Sequence, residues 1–318
     1  MGILTIFSAA ALIFVFVRGW EQTILAYVSY AVSFYTLTVV TIFCTLVLPK
    51  RYKAIRQKIY DHPLGNRYLT DRVFHARVSL SISFAISMLY AAVNVLFWRT
   101  LDSYWFLEGV ERGTPNCLEG FLFPDTYQFY LGESAANVIE KLLDGFEYRF
   151  SEDHRAAIDT LNVKLAAMMK ANGYDDSYIA SQHYDVRKVL IVASLIEEET
   201  ANSDESYKIA SVIYNRLTNQ KEHPFLNIDA TLMYVLGHKD ALTNEDLAYE
   251  SPYNTNINKG LIPGPITNPG LNSINAALNP DSTNYHYYVL DTKSEVREHH
   301  FSETYDEHVD FINKLKEG

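Results

Sequence analysis

Three consecutive carboxylates, Glu197, Glu198 and Glu199, close the apolar run Ala193-Ser-Leu-Ile-Glu-Glu-Glu-Thr200. The segment predicts a helix that starts at Asp185, a good N-cap, and carries Val189, Leu190, Val192, Ala193 and Ile196. On a 3.6-residue period Glu197 shares a face with Leu190, Ala193 and Ser194, whereas Glu198 and Glu199 rotate away from it. Glu197 is therefore the one expected in a partly apolar cleft. Burial, like charges on either side and a helix C-terminus all favour a neutral carboxylic acid. That form can protonate the leaving oxygen of a glycosidic bond. Taken alone, the run fits a solvated acidic helix end better, because most charge runs are solvated faces.

The elements that must position these groups are legible as an α+β pattern. Helical spacing appears over Ser134–Phe150, with Val138, Leu142, Leu143 and Phe146 on one side, and further helices are predicted over Asp153–Asn172 and Ser203–Leu217. The following fifty residues are rich in Asn, Pro and Gly, as in Ser251-Pro-Tyr-Asn-Thr255, Gly260-Leu-Ile-Pro-Gly-Pro-Ile266 and Asn268-Pro-Gly270. Apolar residues recur among these turn formers, so they read as loops of fixed geometry rather than as a linker. Strands at Tyr285–Asp291 and near His299–Ser302 and a closing helix at Glu303–Lys316 complete the pattern.

Charge divides the chain. Residues 1–102 carry ten Lys/Arg against four Asp/Glu, and residues 103–318 carry 17 against 34, for a net charge of −11 overall. An acidic second part argues against nucleic acid or another polyanion as partner. Cys44 and Cys117 are the only cysteines, which leaves no disulfide framework or cysteine metal site. His223, His238, His286, His299 and His308 have no metal-ligand spacing, and no nucleotide or zinc motif is present, so neither metal nor cofactor is expected.

The first part predicts an all-α membrane segment of two to three transmembrane helices. Ile24–Leu48 and Val78–Trp98 are uncharged runs of 25 and 21 residues, long enough to span. Gly2–Val17 is 16 residues, slightly short, and lacks the positive n-region and small-residue cleavage site of a signal peptide. Between the two long runs, Lys50, Arg51, Lys53, Arg56, Lys58, Arg67, Arg72 and Arg77 face only Asp61 and Asp71. The positive-inside rule keeps that loop cytoplasmic and puts everything after about residue 102 outside the cell.

Eight ordered blocks carry a resemblance. They are Leu118-Glu-Gly-Phe-Leu-Phe-Pro-Asp-Thr-Tyr127, Ala193–Thr200, Ser211-Val-Ile-Tyr-Asn-Arg-Leu217, Asp229-Ala-Thr231, Ser251–Thr255, Pro263-Gly-Pro-Ile266, Asn268-Pro-Gly270 and His300-Phe-Ser302. Together they closely resemble the YceG-like family, the MltG type of endolytic murein transglycosylase, over residues 104–318. The resemblance implies a membrane-anchored lytic transglycosylase, a carbon–oxygen lyase. It would cut MurNAc–GlcNAc β-1,4 bonds inside nascent peptidoglycan strands, leave 1,6-anhydro-MurNAc ends and so limit strand length beside the cell-wall synthases. Glu197 matches the family's catalytic glutamate. One carboxylate suffices when the sugar's own C6 hydroxyl is the nucleophile, whereas hydrolases use two.

Other residues in these blocks carry two readings each. Glu119 either orients sugar hydroxyls or holds the helix of Glu197, or else caps or pairs locally. Asn215 and Arg216 either bond a glycan or peptide carbonyl or anchor their own helix. Asp229 contacts substrate or caps the short helix that follows it. Tyr253, Asn254 and Thr255 offer a stacking face and hydrogen bonds to sugars. His300 is a site residue or a satisfied strand histidine.

Two departures from the family pattern stand out. The resemblance implies a single membrane helix and a LysM-like subdomain between anchor and catalytic region. Here two or three spans are read over 1–102, the third ends near Trp98, and resemblance resumes near Tyr104, leaving no room for such a subdomain before the catalytic domain of 103–318. Two further functions therefore stay open: a non-catalytic scaffold of the wall-synthesis machinery, or a water-using glycan hydrolase with a second carboxylate such as Asp229.

Overall fold

The computed structural model describes residues 61, 101–111, 114, 116–200 and 202–317. The three apolar runs and almost all of the basic loop lie outside these residues. Among the described residues no helix is long and apolar enough to cross a membrane. The chain divides into two compact units, Met1–Cys117 and Leu118–Gly318. In the first, a 3-10 turn at Trp105–Leu107 brings the Trp105 and Phe106 rings edge to face at 5.5 Å.

The second unit opens with two helices whose starts are written in the sequence. Helix α1 (Ala135–Arg149) begins where the Ser134 side chain accepts the Asn137 N–H, and it buries Leu143 and Phe146. Helix α2 (Glu152–Ala171) begins where His154 Nδ1 accepts the Ser151 N–H at 3.0 Å. It buries Ile158, Leu161, Leu165 and Met169, an apolar stripe at helical spacing. A short α3 (Asp176–Ser181) leads to α4 (Val186–Glu199), which starts at Asp185 as expected, its carboxylate accepting the Lys188 N–H at 2.8 Å.

Helix α4 is the centre of the unit. Every residue from Val189 to Ile196 is buried, and all but Ser194 are apolar, so this stretch is wrapped on all sides. Its main partners are α5 (Ser206–Thr218) and α8 (Leu271–Leu278), and α2 packs against all three. In this core the Tyr214 hydroxyl donates to the Ala277 carbonyl at 3.0 Å. Truncating a core side chain such as Leu195 to alanine would cost roughly 2–5 kcal/mol through lost transfer energy and the cavity left behind.

Two differences from the sequence reading have local causes. The helix expected from Ser203 starts as a 3-10 turn over Ser203–Glu205, where the Asn202 side chain accepts the Asp204 N–H, and becomes α-helical only from Ser206. The Asn/Pro/Gly-rich stretch contains α7 (Asn244–Leu247) and α8, besides the short α6 (Ala230–Leu236) that follows Asp229. Helix α8 is only two turns long and follows Pro269-Gly270, so turn formers hide its start.

The chain closes with a two-stranded antiparallel sheet. Strand β1 (Tyr287–Leu290) pairs with β2 (His299–Ser302) in the register Tyr287↔Ser302, Tyr288↔Phe301, Val289↔His300 and Leu290↔His299. Helix α9 (Tyr305–Lys316) packs on both strands and starts at a Thr304/Glu307 capping box.

Candidate active site

One face of α4 carries Arg187, Leu190, Ser194 and Glu197, and residues 264–270 run along it. A β-carbon on Gly264 would lie 3.2 Å from Arg187 Nη2. The Ile266 N–H donates to Ser194 Oγ at 3.1 Å, while the Ser194 hydroxyl donates to the Ile191 carbonyl at 2.8 Å. At the far end the Gly270 N–H donates to Glu197 Oε2 at 3.1 Å. Gly270 is the N-cap of α8, so the positive end of that helix faces the carboxylate. The face deduced from helical period is thus the one covered by this segment.

The same segment is stitched to the Leu118–Tyr127 block. Asn268 Oδ1 accepts the N–H groups of Gly120 at 2.8 Å and Leu122 at 3.1 Å. Gly120 has φ +89°, and a β-carbon there would stand 2.6 Å from Pro265 Cγ. A side chain at this position would meet both backbone strain and a clash. Next to it, Glu119 Oε2 accepts the Tyr234 hydroxyl at 2.6 Å, and the Tyr234 ring lies 5.1 Å from that of Tyr253. Glu119, Tyr234 and Tyr253 form one polar-aromatic group, and burial together with the Glu119 charge raises the Tyr253 hydroxyl pKa above its ordinary value.

The three terminal carboxylates of α4 differ from the helical-wheel expectation in their burial. Glu197 and Glu198 are exposed, whereas Glu199 is half-buried with its carboxyl turned inward. Glu199 Oε2 accepts the Tyr288 hydroxyl at 2.9 Å, and its carboxyl also accepts the Ala230 N–H. Burial, aided by the charges of Asp229 and Glu198, pushes Glu199 up to about 7 despite those two hydrogen bonds. The apolar surroundings expected around Glu197 are found two residues on. Helical period fixes which way each side chain leaves α4, but β1 and the start of α6, which close over Glu199, come from distant sequence.

Four of the candidate residues bond to the protein's own backbone. Asn215 Nδ2 donates to the Thr283 and Tyr285 carbonyls at 2.9 and 2.8 Å. Arg216 donates to the Phe225 and His286 carbonyls at 2.9 and 2.8 Å and to Asn227 Oδ1 at 2.7 Å. Asn254 is fully buried and donates to the Leu247 and Tyr249 carbonyls at 3.0 and 2.8 Å. Thr255 Oγ1 accepts the Ile228 N–H at 2.9 Å, also from a buried position. Each is a loop or helix anchor because its polar atoms are consumed by carbonyls and amides that burial would otherwise orphan.

Asp229 and His300 fall differently. The Asp229 side chain makes no capping bond to α6; it is exposed beside Glu199, and partial desolvation raises its carboxyl. The His300 ring stacks on Phe311 at 3.8 Å with 9° between planes, which seats α9 on β2. Among the described residues no cluster of His, Cys, Asp or Glu could hold a metal ion.

The model of the YceG-like family matches residues 46–314. The chain belongs to the YceG-like family. The match begins well ahead of Leu118 and takes in residues 46–103, which the block-by-block resemblance left outside. An endolytic murein transglycosylase of Bacillus subtilis (strain 168) is 39% identical over 204 residues, 63% of this chain and 47% of that one. Its counterpart in Streptococcus pneumoniae (strain R6) is 32% identical over 187 residues, 57% of this chain and 29% of the other. The chain therefore spans about half the length of the first relative and less of the second. The crystal structure of a yceG-like protein, lmo1499, from Listeria monocytogenes superposes with a TM-score of 0.52 at 31% identity, covering 67% of this chain and 62% of that chain. A family fold thus carries the face on which Glu197, Gly270 and the Glu119 group lie. Sequence reasoning had no role for Ser194, Asn268, Gly270, Tyr234, Tyr288 or Glu199. Asn268 and Gly270 were visible as a block, but nothing local tells that one side-chain oxygen reaches back to Gly120.

Proposed function

We propose that this chain is an endolytic peptidoglycan lytic transglycosylase in which Glu197 is the acid and then the base. The observation that carries the reading is the placement of Glu197. It is an exposed carboxylate at the end of the buried helix α4, held by the Gly270 N–H and set on the face along which residues 264–270 run, with Asn268 of that segment bonded to Gly120 and Leu122. Protonated Glu197 gives its proton to the glycosidic oxygen, and the C1–O bond of MurNAc breaks. The C6 hydroxyl oxygen of the same sugar bonds to C1, and Glu197, now a carboxylate, takes the hydroxyl proton. The 1,6-anhydro product forms without water, and the enzyme returns to its starting state. The Tyr234–Tyr253 pair and Glu119 add a mixture of ring faces and acceptors suited to sugars.

Membrane embedding belongs to the same proposal. The uncharged runs at 24–48 and 78–98 and the basic loop between them support a multi-pass anchor with the second unit outside the cell, beside its polymer and the cell-wall synthases. A reporter that works only outside the cell is expected to be active after Gly318 and silent near Pro63. Activity at Pro63 would overturn this topology.

Product analysis on purified murein tests the activity. Anhydro ends, absent with Glu197→Gln, support the proposal. New reducing ends would indicate a hydrolase, and no new ends a non-catalytic binding protein; either result rejects it.

A further inference from the structure

Arg187 stands on the first turn of α4, one turn before Leu190 and on the same face. Its Nη1 is buried and has no hydrogen-bond partner among the described residues. A buried donor without an acceptor is destabilising, most of all on a charged group. A β-carbon on the buried Gly264 would stand 3.0 Å from the Tyr253 hydroxyl and 3.2 Å from Arg187 Nη2. The Gly264 backbone lies outside the left-handed region, so glycine serves there to leave space. Two donors therefore converge on one small gap that a side chain would crowd. Glu119 adjoins them: its charge and that of Arg187 both act on the Tyr253 hydroxyl, from opposite signs. Glu119 Oε2 accepts the Tyr234 hydroxyl at 2.6 Å, which leaves Oε1 to accept from elsewhere. Donors, an acceptor and two ring faces thus meet beside a guanidinium N–H that the folded chain leaves unsatisfied.

We propose that Arg187, Tyr253 and Glu119 form a subsite for one secondary amide of the bound strand, with Arg187 as its specificity-determining residue. The inference rests on the reading of the chain as acting on glycan strands, and it makes no use of the acid. A secondary amide carries one N–H donor and one carbonyl acceptor. Its N–H meets Glu119 Oε1, and its carbonyl oxygen meets the guanidinium and the Tyr253 hydroxyl. The flat amide lies against the Tyr234–Tyr253 pair, whose rings are 5.1 Å apart. The guanidinium turns toward the gap at Gly264 when the strand enters, and its orphan N–H gains a partner only then. A free carboxylate is disfavoured there by the Glu119 charge, and a lone hydroxyl does not fill both sides. Peptidoglycan strands offer this amide in two places, the acetamido groups of the sugars and the peptide bonds of the stems.

The test titrates the full chain, in detergent, with three soluble uncrosslinked strands: intact, freed of stem peptides by an amidase, and N-deacetylated. Calorimetry gives Kd for wild type, Arg187→Met, Arg187→Lys and Tyr253→Phe, with thermal melts of each and a parallel count of anhydro ends. Arg187→Met keeps the apolar stem of the side chain. It is expected to bind intact strands about ten- to a hundredfold more weakly, the value of a hydrogen bond to a charged group. It should melt no lower than wild type, because the donor it removes has no partner in the free protein. Lysine keeps the charge without the planar fork and is expected to recover part of the loss. Tyr253→Phe is expected to weaken binding about three- to tenfold. The Met penalty should vanish on the strand that lacks the bound amide: the deacetylated strand for an acetamido group, the peptide-free strand for a stem. A penalty unchanged on both stripped strands marks a structural anchor and overturns the proposal, as does no penalty on intact strands. Wild type that binds no strand overturns this subsite and the proposed function together. If the penalty follows the amide but wild type makes no anhydro ends, the activity fails and the subsite stands; if ends form without the penalty, only the subsite fails.

Discussion

The Gly270 N–H donates to Glu197 Oε2 at 3.1 Å, joining the last turn of one helix to the first residue of another. A β-carbon on Gly270 would lie 3.7 and 3.8 Å from the two carboxylate oxygens, an ordinary contact distance. Gly270 has φ −77° and ψ 171°, open to any residue. What the site takes from Gly270 is therefore its N–H. Gly270→Pro keeps this φ and removes the donor, and is expected to lower kcat by roughly ten- to a hundredfold, the value of one hydrogen bond to a charged group. Steady-state kinetics on glycan strands, with circular dichroism to verify the fold, checks this.

Glu197→Gln is expected to lower anhydro-end formation by about 10²–10⁴-fold, the usual contribution of a general acid–base residue. The side chain is exposed, so the variant should melt within a degree or two of wild type. Glu198, exposed and pointing to solvent, is expected to tolerate Gln with little change. Mass spectrometry of the released ends reads both.

Glu199→Gln is expected to stabilise the protein in alkaline solution. The folded-state value of about 7 lies above the ordinary 4.5, so the folded chain holds this proton more tightly than the unfolded chain does. Stability contributed by that proton is full below about pH 4.5, declines as pH rises through 7, and is gone above it. Gln has no such dependence. The variant's advantage is expected to grow from nothing near pH 4.5 to ~2–3 kcal/mol by pH 8. Denaturant melts at pH 5, 6.5 and 8 measure it.

Asn254→Ala is expected to destabilise the fold by roughly 1–3 kcal/mol, because the Leu247 and Tyr249 carbonyls lose the donor supplied by a buried amide. Its KM for glycan should change no more than the loss of folded protein explains. A tenfold KM rise in a fully folded variant would return Asn254 to the cleft. Chemical denaturation and Michaelis kinetics at low temperature distinguish the two.

The parts of the fold written in short sequence were legible. Asp185 announces α4, Thr304 with Glu307 announces α9, and the period of Leu190, Ser194 and Glu197 gives the face that residues 264–270 cover. What stayed hidden depends on partners remote in the chain. Glu199 looks like a solvent-facing neighbour of Glu197 until β1 and α6 arrive, and Asn215 and Asn254 look like sugar ligands until the carbonyls they satisfy are in place. Polar residues in a motif block carry no local mark that separates contact with a ligand from contact with their own backbone. The three apolar runs and almost all of the basic loop lie outside the described residues.

The bond between Gly270 and Glu197 spans 73 positions, and those from Asn268 to Gly120 and Leu122 span 148 and 146. A ribosome adding about 5–20 residues per second thus needs several seconds after making the acid to make the amide that holds it. Throughout that interval the growing polypeptide has its acidic side chain but not the clasp that sets it. The face that holds Glu197 is therefore completed only after residue 270 has been made, however early the carboxylate itself is in place.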